Sequence, residues 1–136
     1  MPRIFRQIIL YGWPVLLMAG LGLYFMTSDK SDSAGARLYV KHCAGCHMDE
    51  GQGLRKLIPT LAQSASVMGD GAELACLIRK GVTPENSRHY PAGMPGNAQL
   101  SAAEIRTLIN YMRNSWGNSA PAVDFEEIQT SLDNCK

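Results

Sequence analysis

The stretch Cys43-Ala44-Gly45-Cys46-His47 decides the fold, because it places two thiols and an imidazole within five residues. Residues at this spacing lie close together on one or two turns of a helix. The chain has only four cysteines and three histidines in 136 residues, and such a close group is therefore a specific signal. The motif predicts a bound group that both thiols hold and that the histidine approaches from one side.

A Cys-x-x-Cys-His run is the attachment pattern of c-type haem, with thioethers from both cysteines and the imidazole facing the iron. Two alternatives fit less well. A zinc site needs another close ligand pair, and neither Cys76 nor His89 has a paired neighbour. A thioredoxin-like dithiol follows a strand, and no strand pattern occurs in the sequence. We therefore predict one covalent haem c bound by Cys43, Cys46 and His47.

One histidine leaves the other axial position of the iron to a second residue. Met94 lies in Tyr90-Pro-Ala-Gly-Met-Pro-Gly96, where prolines keep the chain extended and glycines let the backbone approach the ring. A thioether there would favour ferrous iron and raise the reduction potential. The candidates are Met48, Met68, Met94, Met112, His42 and His89. The sequence favours Met94, and Met68 and His89 stay open.

Composition and charge exclude other classes of function. The formal net charge of +1 and the lack of any long basic run exclude nucleic-acid binding. The length suits one small domain with a short appendage. Two cysteines outside the motif are typical of an oxidising compartment.

Residues 8–26 form an uncharged apolar run of 19 residues, about the length that crosses a bilayer as a helix. A cleaved signal peptide and a buried core helix are the alternatives. Arg3 and Arg6 precede the run, so the positive-inside tendency leaves the N-terminus in the cytoplasm. We expect a single-pass protein of a bacterial inner membrane, with its haem domain on the periplasmic side.

The remaining sequence predicts an all-α domain. Helices are expected over 34–42, 72–80 and 101–116. A capping box at Ser101 and Glu104 opens the last of them. Its expected apolar, core-facing residues are Ile105, Leu108, Ile109 and Met112. A tail helix begins after Asp124 and carries an apolar stripe that Phe125 opens. The predicted organisation is an N-terminus (1–7), a transmembrane anchor (8–26), a linker (27–33), a haem domain (34–117) and a tail helix (118–136).

At these motifs the chain resembles the class I cytochromes c. Gly35, Tyr39 and Cys43 match that family's first helix, which packs across the last helix at an aromatic position such as Tyr111. The resemblance implies that the Pro59 carbonyl bonds the haem histidine and that Met94 is the second iron ligand. With the predicted span, the chain is similar to monohaem subunits of bacterial respiratory complexes such as alternative complex III.

The leftover cysteines suggest a cross-link. Cys135 lies on the apolar stripe of the tail helix, and Cys76 lies in a helix that the family packs beside the haem. We expect a Cys76–Cys135 disulfide, with two buried free thiols as the alternative.

The expected function is electron transfer to and from protein redox partners, without a small-molecule substrate and without enzymatic activity of its own. The alternatives are a haem-based gas or ligand sensor with a weak sixth ligand, and a structural subunit whose haem is secondary.

Overall fold

The computed structural model describes residues 33–87 and 92–135. Six α-helices occur in these ranges: α1 Ala34–His42, α2 Ala44–His47, α3 Ala65–Met68, α4 Gly71–Lys80, α5 Ala102–Arg113 and α6 Phe125–Asn134. A short 3-10 helix covers Pro84–Asn86, and two strands are β1 Gly81–Val82 and β2 Met94–Pro95. The predicted helical class is therefore confirmed for this part of the chain.

The two short strands are an exception within this mostly helical domain, since the all-α prediction included no strand. They pair antiparallel, with Gly81 opposite Pro95 and Val82 opposite Met94. Each strand has two residues, which is too short for the alternation of apolar and polar side chains that indicates a strand in a sequence. The ladder brings the segment around Met94 back to the end of α4.

Side-chain caps begin four of the helices. Ser33 Oγ accepts a bond from the Ala36 amide at 3.2 Å, and Ser101 and Glu104 form the predicted capping box. Asp124 Oδ1 accepts from the Glu127 amide at 2.8 Å. Asp70 caps α4 in the same way, so that helix begins one residue before the predicted start.

Helix α5 ends at Arg113, three residues before the predicted end. Ser115 Oγ donates to the Tyr111 carbonyl at 2.7 Å, and Asn118 Nδ2 donates to the Met112 carbonyl at 2.8 Å. These side chains donate to carbonyls that would accept from backbone amides if the helix continued. Trp116 then takes a positive φ of 51° and turns the chain away.

The core forms where α1 crosses α5. A side-chain carbon at Gly35 would lie 2.4 Å from Tyr111 Cβ and 2.9 Å from the Thr107 carbonyl oxygen, so only glycine fits there. The predicted apolar face of α5 is confirmed as buried: Ile105, Leu108, Ile109 and Met112. They pack with further buried residues: Tyr39, Val67, Leu74, Ala75, Ile78, Leu100, Ala102, Val123 and Ile128.

The tail packs on α4 and α5. Ile128 is fully buried, Leu132 lies against the core, and a disulfide joins Cys76 to Cys135 with 5.6 Å between the Cα atoms. Phe125 is 43% exposed, so its predicted place on the packed stripe is wrong. Helical side chains tilt toward the N-terminus, and that of the first residue therefore projects beyond the packed face.

A buried arginine binds the start of the tail to the rest of the domain. Arg113 is 5% exposed, and its guanidinium donates to three carbonyls: Nε to Val67 at 3.0 Å, Nη1 to Pro121 at 2.8 Å, and Nη2 to Gly69. The planar fork of donors thus joins the start of the tail to the end of α3 and the residue that follows it.

The sequence predicted a single-pass location in a bacterial inner membrane. The helices of residues 33–87 and 92–135 contradict this prediction. None of these helices combines the length and the apolar character that crossing a bilayer requires. The longest of them, α5, has 12 residues and reaches about 18 Å, against about 30 Å of hydrocarbon. The span predicted at residues 8–26 lies outside the described residues.

We expect Cys135→Ser to lower the free energy of unfolding by about 4 kcal/mol, because the bridge closes a loop between residues 59 apart in sequence. Cys76→Ser should cost the same, and the double variant no more than either alone. Denaturant unfolding measures this, and additive losses would show that the thiols act separately.

We expect Arg113→Lys to destabilise the protein by about 2–4 kcal/mol, because one ammonium cannot reach three carbonyls that stay buried. Arg55→Lys, at an exposed residue, is the matched control and should change stability by less than about 0.5 kcal/mol. Equal losses in urea unfolding would contradict the structural role of Arg113.

Candidate functional site

The motif residues lie at the junction of two helices. The Cys43 amide donates to the Tyr39 carbonyl of α1 at 2.8 Å, and the Cys43 carbonyl accepts from the His47 amide of α2 at 2.9 Å. Cys43 is half-buried and Cys46 is exposed, and both are free thiols. The structure therefore brings two thiols and His47 together on one turn.

The imidazole of His47 is oriented by the loop that follows the motif. Its Nδ1 lies 3.0 Å from the Pro59 carbonyl oxygen, and because a carbonyl only accepts, Nδ1 carries the proton. Burial lowers the pKa of His47, and the Pro59 bond partly opposes this. The ring is therefore neutral near pH 7, with the lone pair of Nε2 free for a metal.

The thiols suit covalent attachment better than a zinc site. Burial, and next the neighbouring Cys46, raise the pKa of the Cys43 thiol to about 11, so it is protonated at neutral pH. Within residues 33–87 and 92–135, no group of three His, Cys, Asp or Glu side chains could hold a metal ion. Two free thiols and a histidine with an open Nε2 fit haem c.

The loop from Gly51 to Leu61 returns Pro59 to the histidine. The Gly51 carbonyl accepts from the Leu61 amide at 2.6 Å and from Thr60 Oγ1 at 3.1 Å. The Gly53 amide donates to the His47 carbonyl at 3.0 Å. Gly53 has a positive φ of 66°, and a side-chain carbon there would lie 2.5 Å from the Pro59 carbonyl oxygen. Glycine is therefore required beside the carbonyl that orients the ring.

Tyr39, predicted to contribute to the cofactor site, supports the motif from behind. Its hydroxyl donates to the Met48 carbonyl at 2.5 Å, and burial strongly raises its pKa, which keeps it a neutral donor. Its ring lies 4.6 Å from that of Trp116 and 5.9 Å from that of Tyr111, between ring centres. This aromatic cluster links α1, the motif and the end of α5.

Met94 is placed by the two-stranded ladder and is half-buried. The glycines beside Met94 and across the ladder from it make room for protein backbone. The approach of this segment to the ring stays a prediction. A side-chain carbon at Gly81 would lie 2.1 Å from the Met94 carbonyl oxygen, and one at Gly96 2.7 Å from that of Arg79. The methionine segment is thus held against the end of α4.

The other candidate ligands have different surroundings. Met112 is a core residue, as predicted, at 3% exposure. Met68 is the last residue of the short helix α3. Met48 follows the motif directly and caps α2, and His42 is the last residue of α1. His89 lies outside the described residues.

Sequence reasoning missed the residues that support the loop. The Trp116 ring packs against Gly51, where a side-chain carbon would lie 2.8 Å from Trp116 Cε3. Asn118 Nδ2 donates to the Leu61 carbonyl at 2.9 Å. Neither residue carried a signal in the sequence, because these contacts join residues more than fifty positions apart.

Comparison with known proteins relates this chain to cytochromes c. The family model described as "Cytochrome c" matches residues 33–116. The cytochrome c subunit of quinone alcohol dehydrogenase from Gluconobacter oxydans is 36% identical over 107 residues, which cover 73% of this chain and 22% of that subunit. The gluconate 2-dehydrogenase cytochrome c subunit of Pantoea cypripedii is 31% identical, covering 65% and 21%. Cytochrome c-552 of Thermus thermophilus is 30% identical, covering 82% and 74%.

The chain therefore spans about a fifth of the length of the two dehydrogenase subunits and most of the length of the small cytochrome.

We expect Gly53→Ala to lower the free energy of unfolding by about 1–3 kcal/mol, because its φ is positive and its new carbon meets the Pro59 carbonyl. Gly45→Ala is the matched control, since nothing lies within 4 Å of a side-chain carbon there. It should be neutral or stabilising by up to about 1 kcal/mol. Denaturant unfolding compares the two, and equal effects would contradict the constraint on the loop.

Proposed function

Because the chain belongs to the cytochrome c family, we propose that Cys43, Cys46, His47 and Met94 hold its haem and that it passes electrons between protein partners. Family membership makes one covalent haem c its cofactor and electron carriage its role, without enzymatic activity of its own. The observation that carries the assignment of ligands is the bond from His47 Nδ1 to Pro59, which leaves Nε2 free beside two free thiols.

Haem c supplies a one-electron couple when bound, and the side chains of the site adjust it. Cys43 and Cys46 would attach the ring, and Nε2 of His47 would bind the iron on one side. The Pro59 carbonyl accepts a hydrogen bond from Nδ1–H of His47. This bond makes the imidazole a more basic ligand, which favours ferric iron. The soft thioether of Met94, supplied by β2, would favour ferrous iron from the other side.

The names of two relatives suggest the kind of partner. Both are cytochrome c subunits of dehydrogenases, one for alcohol and one for gluconate. We infer that this chain accepts electrons from a dehydrogenase or a similar redox protein and delivers them to a second protein. A more specific prediction is that the chain is a subunit of a respiratory complex such as alternative complex III.

We expect the native ferrous protein to bind carbon monoxide poorly, because Met94 would occupy the sixth position of the iron. Met94→Ala should open that position, bind carbon monoxide readily and lower the reduction potential. Met68→Ala is the matched control, since it removes a half-exposed methionine on α3. Absorption spectra of the ferrous forms with and without the gas measure the difference.

Ready binding of carbon monoxide by the native protein would contradict the ligation by Met94 and would support the gas sensor instead. Equal behaviour of the Met94 and Met68 variants would show that another residue occupies the sixth position.

A further inference from the structure

The segment that follows α5 contacts both ends of the loop that carries Pro59. At one end, the Trp116 ring lies against Gly51. At the other, Asn118 Nδ2 donates to the Leu61 carbonyl at 2.9 Å and also to the Met112 carbonyl at 2.8 Å. One amide group thus joins the loop to the last turn of α5.

The side-chain nitrogen Nδ2 of Asn118 donates both of these hydrogen bonds. Asn118 is 6% exposed, and its Oδ1 is buried and accepts no hydrogen bond from the residues that the structure describes. A buried acceptor without a partner is costly. The Leu61 and Met112 carbonyls can only accept hydrogen bonds. The amide is therefore oriented with Nδ2, and not Oδ1, toward them.

A short series of bonds leads from this amide to the histidine. Asn118 holds the Leu61 carbonyl, and the Leu61 amide donates to the Gly51 carbonyl at 2.6 Å. Pro59 lies two residues before Leu61, and its carbonyl accepts from His47 Nδ1 at 3.0 Å. The position of the Pro59 carbonyl therefore depends on where Leu61 is held.

We propose that Asn118 is a positioning residue for the iron ligand His47: by holding Leu61 it keeps the Pro59 carbonyl in hydrogen-bond range of Nδ1 and so lowers the reduction potential. The inference rests on the proposed function, in which His47 binds the iron. Its physical basis is that a shorter, better aligned bond from Nδ1 makes the imidazole more basic and stabilises the ferric form.

Asn118→Ala tests this in the full-length protein with its haem attached. The Nδ1–H of His47 should exchange faster with solvent in NMR spectra, and the midpoint potential in a redox titration should rise. Asn110→Ala is the matched control. Asn110 also makes two side-chain bonds to backbone, both with Val123 in the tail, at 3.0 Å and 2.8 Å. It should destabilise the tail and leave the potential and the His47 signal unchanged.

Asn118→Ser keeps one donor and is the second variant if the alanine variant does not fold; its potential should also rise, by a smaller amount. The role of Asn118 would be overturned if its variants left the midpoint potential unchanged or lowered it. It would also be overturned if Asn110→Ala raised the potential by the same amount. If the unsubstituted protein shows no His47 signal typical of an iron ligand, the proposed function fails instead. The two failures are therefore distinguishable.

Discussion

The close crossing of α1 and α5 at Gly35 is the constraint on which the rest of the domain depends. With only 2.4 Å between Tyr111 Cβ and a side-chain carbon at Gly35, the two backbones touch where glycine alone fits. Tyr39 follows one turn later on the same side of α1, and Cys43 caps the end of that helix. The crossing therefore fixes where the aromatic cluster forms and where the haem motif begins.

The features that the sequence predicted well are local. The haem motif, the caps of α1 and α5, and the apolar face of α5 each depend on residues within a few positions of one another. The paired strands, the three carbonyls around Arg113 and the amide of Asn118 depend on contacts between distant segments. A polar residue in a sequence does not show which distant carbonyl it will meet, and a two-residue strand has no period. For this reason the sequence offers candidate ligand residues, but it does not identify the residues that hold them in place.

The tail is secured in three independent ways. A disulfide closes its end, Arg113 binds the Pro121 carbonyl at its start, and Asn110 pairs with both backbone groups of Val123. Ile128 adds a fully buried side chain between these points. A domain of this size has a modest core, and the tail enlarges it on the side of α4 and α5. The tail is thus part of the folded domain and not an appendage to it.

The single disulfide also has a consequence for how the protein matures. Four cysteines can form two bridges in three ways, and each of these consumes both motif thiols. The structure has one bridge, between Cys76 and Cys135, and leaves Cys43 and Cys46 free. For the haem attachment that we propose, the pair Cys76 and Cys135 has to be oxidised while Cys43 and Cys46 stay reduced in the same chain.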